Sequence, residues 1–183
     1  VTRVNYTADN TSYTFGATYM LNDDASVFVR YSDGGRAVAD RLTQVAGSLQ
    51  ANGALTSTTD GYDNVEQLEV GYKHQAEDWA FYATLFDTMV EETNAEITSG
   101  LTFVREYEAT GLELEGDYDF GNGFRINGNL TWIDAEIAKD ATNASVVGNT
   151  PRRQADMIYT ISPEYSFGNG LIGASVVGSS DFY

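Results

Sequence analysis

Apolar and polar positions alternate along most of this chain. Between Thr110 and Trp132, Leu112, Leu114, Gly116, Tyr118 and Phe120 share one parity, and Glu113, Glu115, Asp117 and Asp119 share the other. A period of two places successive side chains on opposite faces of an extended strand, whereas a helix would scatter them around its circumference. Gly121-Asn122-Gly123 then supplies residues that tolerate positive φ, as a tight hairpin turn needs. After it, Phe124, Ile126, Gly128, Leu130 and Trp132 fall on one face, and Arg125, Asn127, Asn129 and Thr131 on the other. The pattern predicts a hairpin with long arms, each well beyond the about five or six residues of a usual strand.

The motif repeats. YDFGNGFRINGN at Tyr118–Asn129 is echoed by YSFGNGLIGAS at Tyr165–Ser175. Before the second turn, Met157, Tyr159, Ile161, Tyr165 and Phe167 share a face against Thr160, Ser162, Glu164 and Ser166. Pro163 interrupts that run and lacks a ladder donor, so a bulge or local gap is expected there. Tyr13, Phe15, Ala17 and Tyr19 alternate with small polar residues, as do Leu68, Val70 and Tyr72 with Gln67, Glu69, Gly71 and Lys73. The stretch WAFYATLF from Trp79 is apolar at both parities, so its orientation stays open.

Connections alternate between short and long. Short ones lie at Leu21–Ala25, Gln75–Asp78, Gly121–Gly123 and Gly168–Gly170; long ones lie at Asp33–Asn64, Glu92–Thr102 and Glu136–Thr150. In a meander every second connection is at the same end, so all short turns gather at one end and all long loops at the other. Within the first long loop, Asp40–Leu55 has the pattern of a helical turn or two. The expected fold is all-β: an antiparallel up-and-down meander of about eight or nine long strands.

Either a second protein sheet or lipid could cover the apolar face. A sandwich uses shorter strands and loops of mixed length at both ends. An outer-membrane barrel has short periplasmic turns, long outer loops, strands of about ten alternating residues and aromatic girdles. Tyr19, Trp79, Phe120, Phe124, Tyr165 and Phe167 cluster at the short-turn ends, which favours the barrel. The acidic and amide parity then faces a watery lumen.

Composition narrows the choices further. Aromatic residues make up 13% of the chain, with 12 Tyr, 18 Gly and only 2 Pro, which suits long strands and tight turns. A formal net charge of −17 argues against a nucleic-acid partner, whose phosphates need clustered Lys and Arg. With 0 Cys there are no disulfides or thiolate metal sites. No run approaches the roughly eighteen apolar residues of a membrane helix.

The candidate chemistry is sparse. Glu113, Glu115, Asp117 and Asp119 could be paired catalytic carboxylates or cation ligands, but a solvated lumen wall accounts for all four at once. His74 abuts a short turn without metal-binding neighbours in sequence. Asp60 and Asp63 in TDGYDN resemble part of a calcium loop whose other ligands are missing. No serine or threonine sits on a nucleophile elbow, and no catalysis or cofactor is expected. Arg105, Arg125, Arg152 and Arg153 neutralise the acidic wall in one reading and contact an anionic ligand in the other. Arg36 and Arg41 follow Gly34-Gly35, where close backbone packing is the simpler account of the glycines.

Three stretches resemble a known family. RYSDGGRAVADRL at Arg30–Leu42, REYEATGLELEGDYDFGNGFRINGNLTWIDAEI at Arg105–Ile137 and GNTPRRQADMIYTISPEYSFGNG at Gly148–Gly170 look like the barrel of TonB-dependent outer-membrane receptors. The resemblance implies a barrel of about 22 strands around a plug, with residues 1–183 a single partial barrel domain and the plug and final strands lying outside it. It implies active import of a scarce nutrient, above all a ferric siderophore, with membrane lipid and the TonB energy-coupling complex, reached through the plug, as partners. Under it, Arg36, Arg41, Tyr62, Arg105, Arg125, Arg152 and Arg153 become candidate ligand contacts, drawn from the long loops and lumen faces. A passive porin and a soluble β-sheet binding or adhesion domain are the alternatives.

Overall fold

A computed structural model describes residues 5–38, 50–54, 61–96 and 101–182, with side chains at 95–96 and 101–102 left aside. Among these residues nine strands form one sheet: β1 (Tyr13–Met20), β2 (Ala25–Ala37), β3 (Tyr62–Gln75), β4 (Trp79–Glu96), β5 (Leu101–Asp119), β6 (Phe124–Asp140), β7 (Met157–Phe167), β8 (Gly170–Gly173) and β9 (Val176–Ser179). Each strand from β1 to β8 pairs antiparallel with its sequence neighbours, and β9 pairs with β7 beyond the end of β8. A single 3-10 turn, Ala144–Val146, stands among the described residues between β6 and β7.

The strands run further into the long connections than alternation alone suggests. β4 and β5 reach 18 and 19 residues and stay paired to Glu96 and Leu101. Polar residues do not end a strand whose backbone groups are already paired across the ladder, so the sheet continues into water past the apolar band. Arg36, expected just outside a strand, is therefore within β2. The helical turn expected at Asp40–Leu55 falls largely outside the described residues. At its edge Gln50–Ala54 is a tight turn, with the Gln50 amide bonded to the Ala54 carbonyl at 2.8 Å.

Register carries one parity from strand to strand. Tyr19, Val27, Tyr72, Ala83, Leu114, Leu130 and Tyr159 share a face, because each pairs with the next across the sheet. The ambiguous β4 resolves the same way: Trp79, Phe81, Ala83 and Leu85 join that face, while Ala80, Tyr82, Thr84 and Phe86 join the face of Glu113, Glu115 and Asp117.

Among the described residues, neither face is covered by a second layer. Phe15, Tyr19 and Leu85 are 68%, 70% and 61% exposed, and the buried apolar residues are few and mostly small: Ala25, Val38, Ala135, Ile137 and Ala155. A soluble sheet would bury such residues for about 1.5–3 kcal/mol each. Here the chain leaves them for another apolar medium.

Pro163 shows how the sequence shapes an edge. Its pairing with Ile126 of β6 is in register and unbroken. On its other side β8 stops at Gly173 and β9 begins at Val176, so the ladder lapses opposite the missing N–H. The expected gap is present, confined to one side, and the Pro163 carbonyl still accepts from the Ala174 amide at 3.1 Å.

Candidate functional site

The inner face is a wall of charge held in bidentate pairs. Arg30 on β2 donates through Nε and Nη2 to the two oxygens of Glu69 on β3, both at 2.6 Å, and Gln67 Nε2 adds a bond to the same carboxylate at 2.9 Å. Near the short turns, Arg125 grips Asp117 in the same way at 2.7 and 2.8 Å. Lys73 lies 4.9 Å from the centroid of the Phe28 ring, which itself covers Gly71. Arg30, Glu69, Lys73, Tyr82, Glu113 and Glu115 line a concavity of about 580 Å³.

A second charged row crosses the sheet beyond the apolar band. Arg36 Nη2 reaches Asp63 at 2.7 Å and Glu92 at 3.5 Å. Asp63 is only 2% exposed and also accepts the Thr93 amide at 2.7 Å. Glu92 is paired in register with Arg105, and Arg105 Nε reaches Asp140 at 2.7 Å. The row thus links β2, β3, β4, β5 and β6 at their long-loop ends.

Asp140 joins this row through a bulge. From Phe124 to Glu136 the even positions of β6 face outward with Leu114 and Leu112. The register then slips by one between Tyr107, paired with Ile137, and Glu106, paired with Lys139. The extra residue, Ala138, flips the parity, so Asp140 turns inward to Arg105 while Lys139 turns outward to Glu106 at 2.9 Å. Burial of the Asp140 carboxylate pushes its pKa up, but hydrogen bonds from Thr142, Arg105 and Asn143 outweigh that and bring it down to about 2. Burial opposes the charge on Arg105 as well, and its bond to Asp140 prevails to raise its pKa.

The candidate ligand contacts divide sharply. Arg36, Arg105 and Arg125 are held by carboxylates. The Tyr62 hydroxyl donates to the Ala8 carbonyl at 3.0 Å. Arg152 and Arg153 are exposed in the loop before β7, with no ion-pair partner among the described residues; Arg153 has φ 64°. Arg41 and Asp60 lie outside the described residues. The Gly34-Gly35 pair does sit against close packing, since a Cβ at Gly35 would lie 2.6 Å from the Asn10 amide. Sequence reasoning passed over Arg30, Glu69, Glu92 and Asp140. Strand parity signals the first three, whereas Asp140 stays hidden without the bulge.

His74 faces outward at the short-turn end, stacked on Trp79 with ring centroids 4.2 Å apart and bonded through Nδ1 to the Tyr72 hydroxyl at 3.2 Å. With Tyr118, Phe120, Phe124, Tyr165 and Phe167 it belongs to an aromatic belt. No group of metal-ligating side chains forms among the described residues.

Short turns beneath an aromatic belt, an outward apolar band and an inward charged wall define the wall of an outer-membrane β-barrel. The chain belongs to the family described as TonB dependent receptor-like, beta-barrel, which matches residues 1–183. This is a family of transport receptors in the outer membrane of Gram-negative bacteria. Solved structures agree on the fold. The siderophore receptor PiuA from Acinetobacter baumannii superposes with TM-score 0.71 at 16% identity over 94% of this chain. The ferric-catecholate import receptor Fiu from E. coli K12 gives 0.69 at 19% over 93%. The ferric yersiniabactin uptake receptor FyuA from Yersinia pestis gives 0.63 at 19% over 90%. The chain spans about a quarter of each, 26%, 25% and 24% respectively. No curated protein sequence matches it.

Proposed function

We propose that this sheet is part of the wall of an energy-coupled importer that takes a ferric siderophore across the outer membrane. Family membership supports a nutrient-uptake receptor over a passive porin or a soluble adhesion domain. The observation that carries the reading is the inner face, where every arginine of the strands is matched to a carboxylate in a hydrophilic wall. The siderophore assignment follows the neighbouring structures, which are a siderophore receptor, a ferric-catecholate import receptor and a ferric yersiniabactin uptake receptor.

In this reading the long loops capture the chelate and the polar interior conducts it once a plug moves under the pull of the TonB complex. Among the described residues, Arg152 and Arg153, exposed beside β7, are cations available to an anionic chelate. The test is uptake of radioactive iron presented as a panel of ferric siderophores to iron-starved cells. Cells lacking the gene should lose uptake of one chelate, and so should gene-bearing cells whose proton-motive force is collapsed. Unchanged uptake of every chelate would remove the siderophore assignment.

A further inference from the structure

Among the described residues, the outward face has a notch that the chain leaves empty. Phe81, Gly116, Gly128 and Ile161 form a single cross-strand row over β4, β5, β6 and β7. Two neighbouring positions in that row have no side chain. The result is an apolar groove of two adjoining lobes, about 390 and 380 Å³, that share those four residues. Trp79, Tyr118 and Ile126 wall it toward the short turns; Leu114, Leu130 and Tyr159 wall it on the other side.

The chain itself gives no reason for glycine at 116. Its φ is not positive, and an added Cβ would meet only the Ala80 carbonyl oxygen, at 3.9 Å. Two other outward-facing glycines are covered by rings of this chain, Gly178 by Tyr159 at 2.4 Å and Gly170 by Phe167 at 2.8 Å. The notch has no such cover, and it is continuous with the face that meets the membrane. Its depth selects the leaflet. Gly116 and Gly128 each lie four residues from the turn-flanking Phe120 and Phe124. At a rise of about 3.3 Å per residue and a tilt of about 45°, that is about 9 Å into a band about 25 Å tall, on the periplasmic side. Trp79 and Tyr118 stand at the headgroup end, where amphipathic rings favour the interface.

We propose that this notch seats one acyl chain of a periplasmic-leaflet phospholipid, with the headgroup beside Trp79 and Tyr118. The seat rests on the barrel's place in the membrane and is independent of the cargo. The test uses the full-length receptor in nanodiscs of phosphatidylethanolamine doped with phosphatidylethanolamine that has a diazirine on its acyl chain. Illumination and peptide mapping should concentrate label on peptides containing Phe81, Tyr118 and Ile126, at least about fivefold above peptides elsewhere in the apolar band. Gly116→Leu fills the notch and should reduce that label to the band average, while Ala83→Leu, outside it, leaves the label unchanged. Even labelling along the band, or label in Gly116→Leu equal to wild type, overturns the proposal. So does a receptor dimer formed on illumination when a photoreactive phenylalanine analogue replaces Phe81. The wild-type labelling pattern decides the matter should Gly116→Leu fail to assemble.

Discussion

Arg105 and Asp140 meet on the inner face because β6 contains one residue more than β5 between their pairing positions. The Asp140 side chain is fully enclosed and that of Arg105 is 24% exposed. Deleting Ala138 should remove the bulge and leave Asp140 opposite Arg105 at the inward parity, because Lys139 and Asp140 then continue the register of Ile137 without a slip. Removing one partner of an enclosed ion pair costs about 3–5 kcal/mol, so Asp140→Ala should lower the midpoint of urea-induced barrel unfolding measurably. Deletion of Ala138 keeps both Arg105–Asp140 and Glu106–Lys139 in register and should lower the midpoint much less. Wild-type stability in Asp140→Ala, or an equal loss in both variants, would remove the pair's role.

The same pair sets a pH window. A carboxylate whose folded pKa lies below its ordinary value contributes stability above that ordinary value and loses it as pH falls through the folded one. For Asp140 the window runs from about 3.8 down to about 2. Unfolding free energy in detergent should therefore fall across that range. Asp140→Asn should flatten the part of the fall due to this group; identical pH profiles for the two proteins would refute the assignment.

Leu114 and Glu115 are adjacent in sequence and face opposite media. Arginine at the lipid face near the midplane costs about 2–4 kcal/mol, whereas lumen positions tolerate charge. Leu114→Arg should thus impair folding into vesicles, read by heat-modifiable gel migration, and Glu115→Arg should fold as wild type. Equal impairment would mean that the faces have been misassigned.

How much of this could be read beforehand depends on what set each feature. The faces of β5 and β6 were legible at Leu112–Trp132 because alternation there has no exceptions and GNG marks the turn. The long-loop bounds were not, since residues such as Glu92 and Thr102 look like loop by composition while the ladder keeps them in strands. Among the arginines, parity could place Arg105 and Arg125 on the inner wall, yet their engagement by Asp140 and Asp117 depends on register and on one bulge. The notch at Gly116 and Gly128 was visible only as two glycines at matching parity until pairing put them side by side.

Gly111 and Phe86 make a second steric test. A Cβ at Gly111 would lie 2.3 Å from the Phe86 ring and 2.6 Å from the Trp132 carbonyl oxygen. Gly111→Ala should cost about 1–3 kcal/mol through overpacking. Phe86→Ala combined with it should recover only the part due to the ring, because the backbone oxygen remains. A double-mutant cycle in urea measures that coupling, and strict additivity would show that the ring is not the obstacle.

Pro163 offers the converse experiment, in which a missing group is restored. Positions 163 and 174 lie opposite one another by continuation of the register that pairs Glu164 with Gly173. The Ala174 amide already bonds to the Pro163 carbonyl, so the reciprocal donor is the one lacking. Pro163→Ala supplies it. The Ala174–Ser175 break between β8 and β9 should then close into a continuous strand, and exchange of the Ala174 and Val176 amides, which face β7, should slow. The gain in free energy should be small, about 0.5–1.5 kcal/mol for one hydrogen bond, and partly offset because alanine leaves the unfolded chain freer than proline. Hydrogen exchange is therefore the sharper measurement. Unchanged exchange at both amides would show that something other than the proline ends β8 at Gly173.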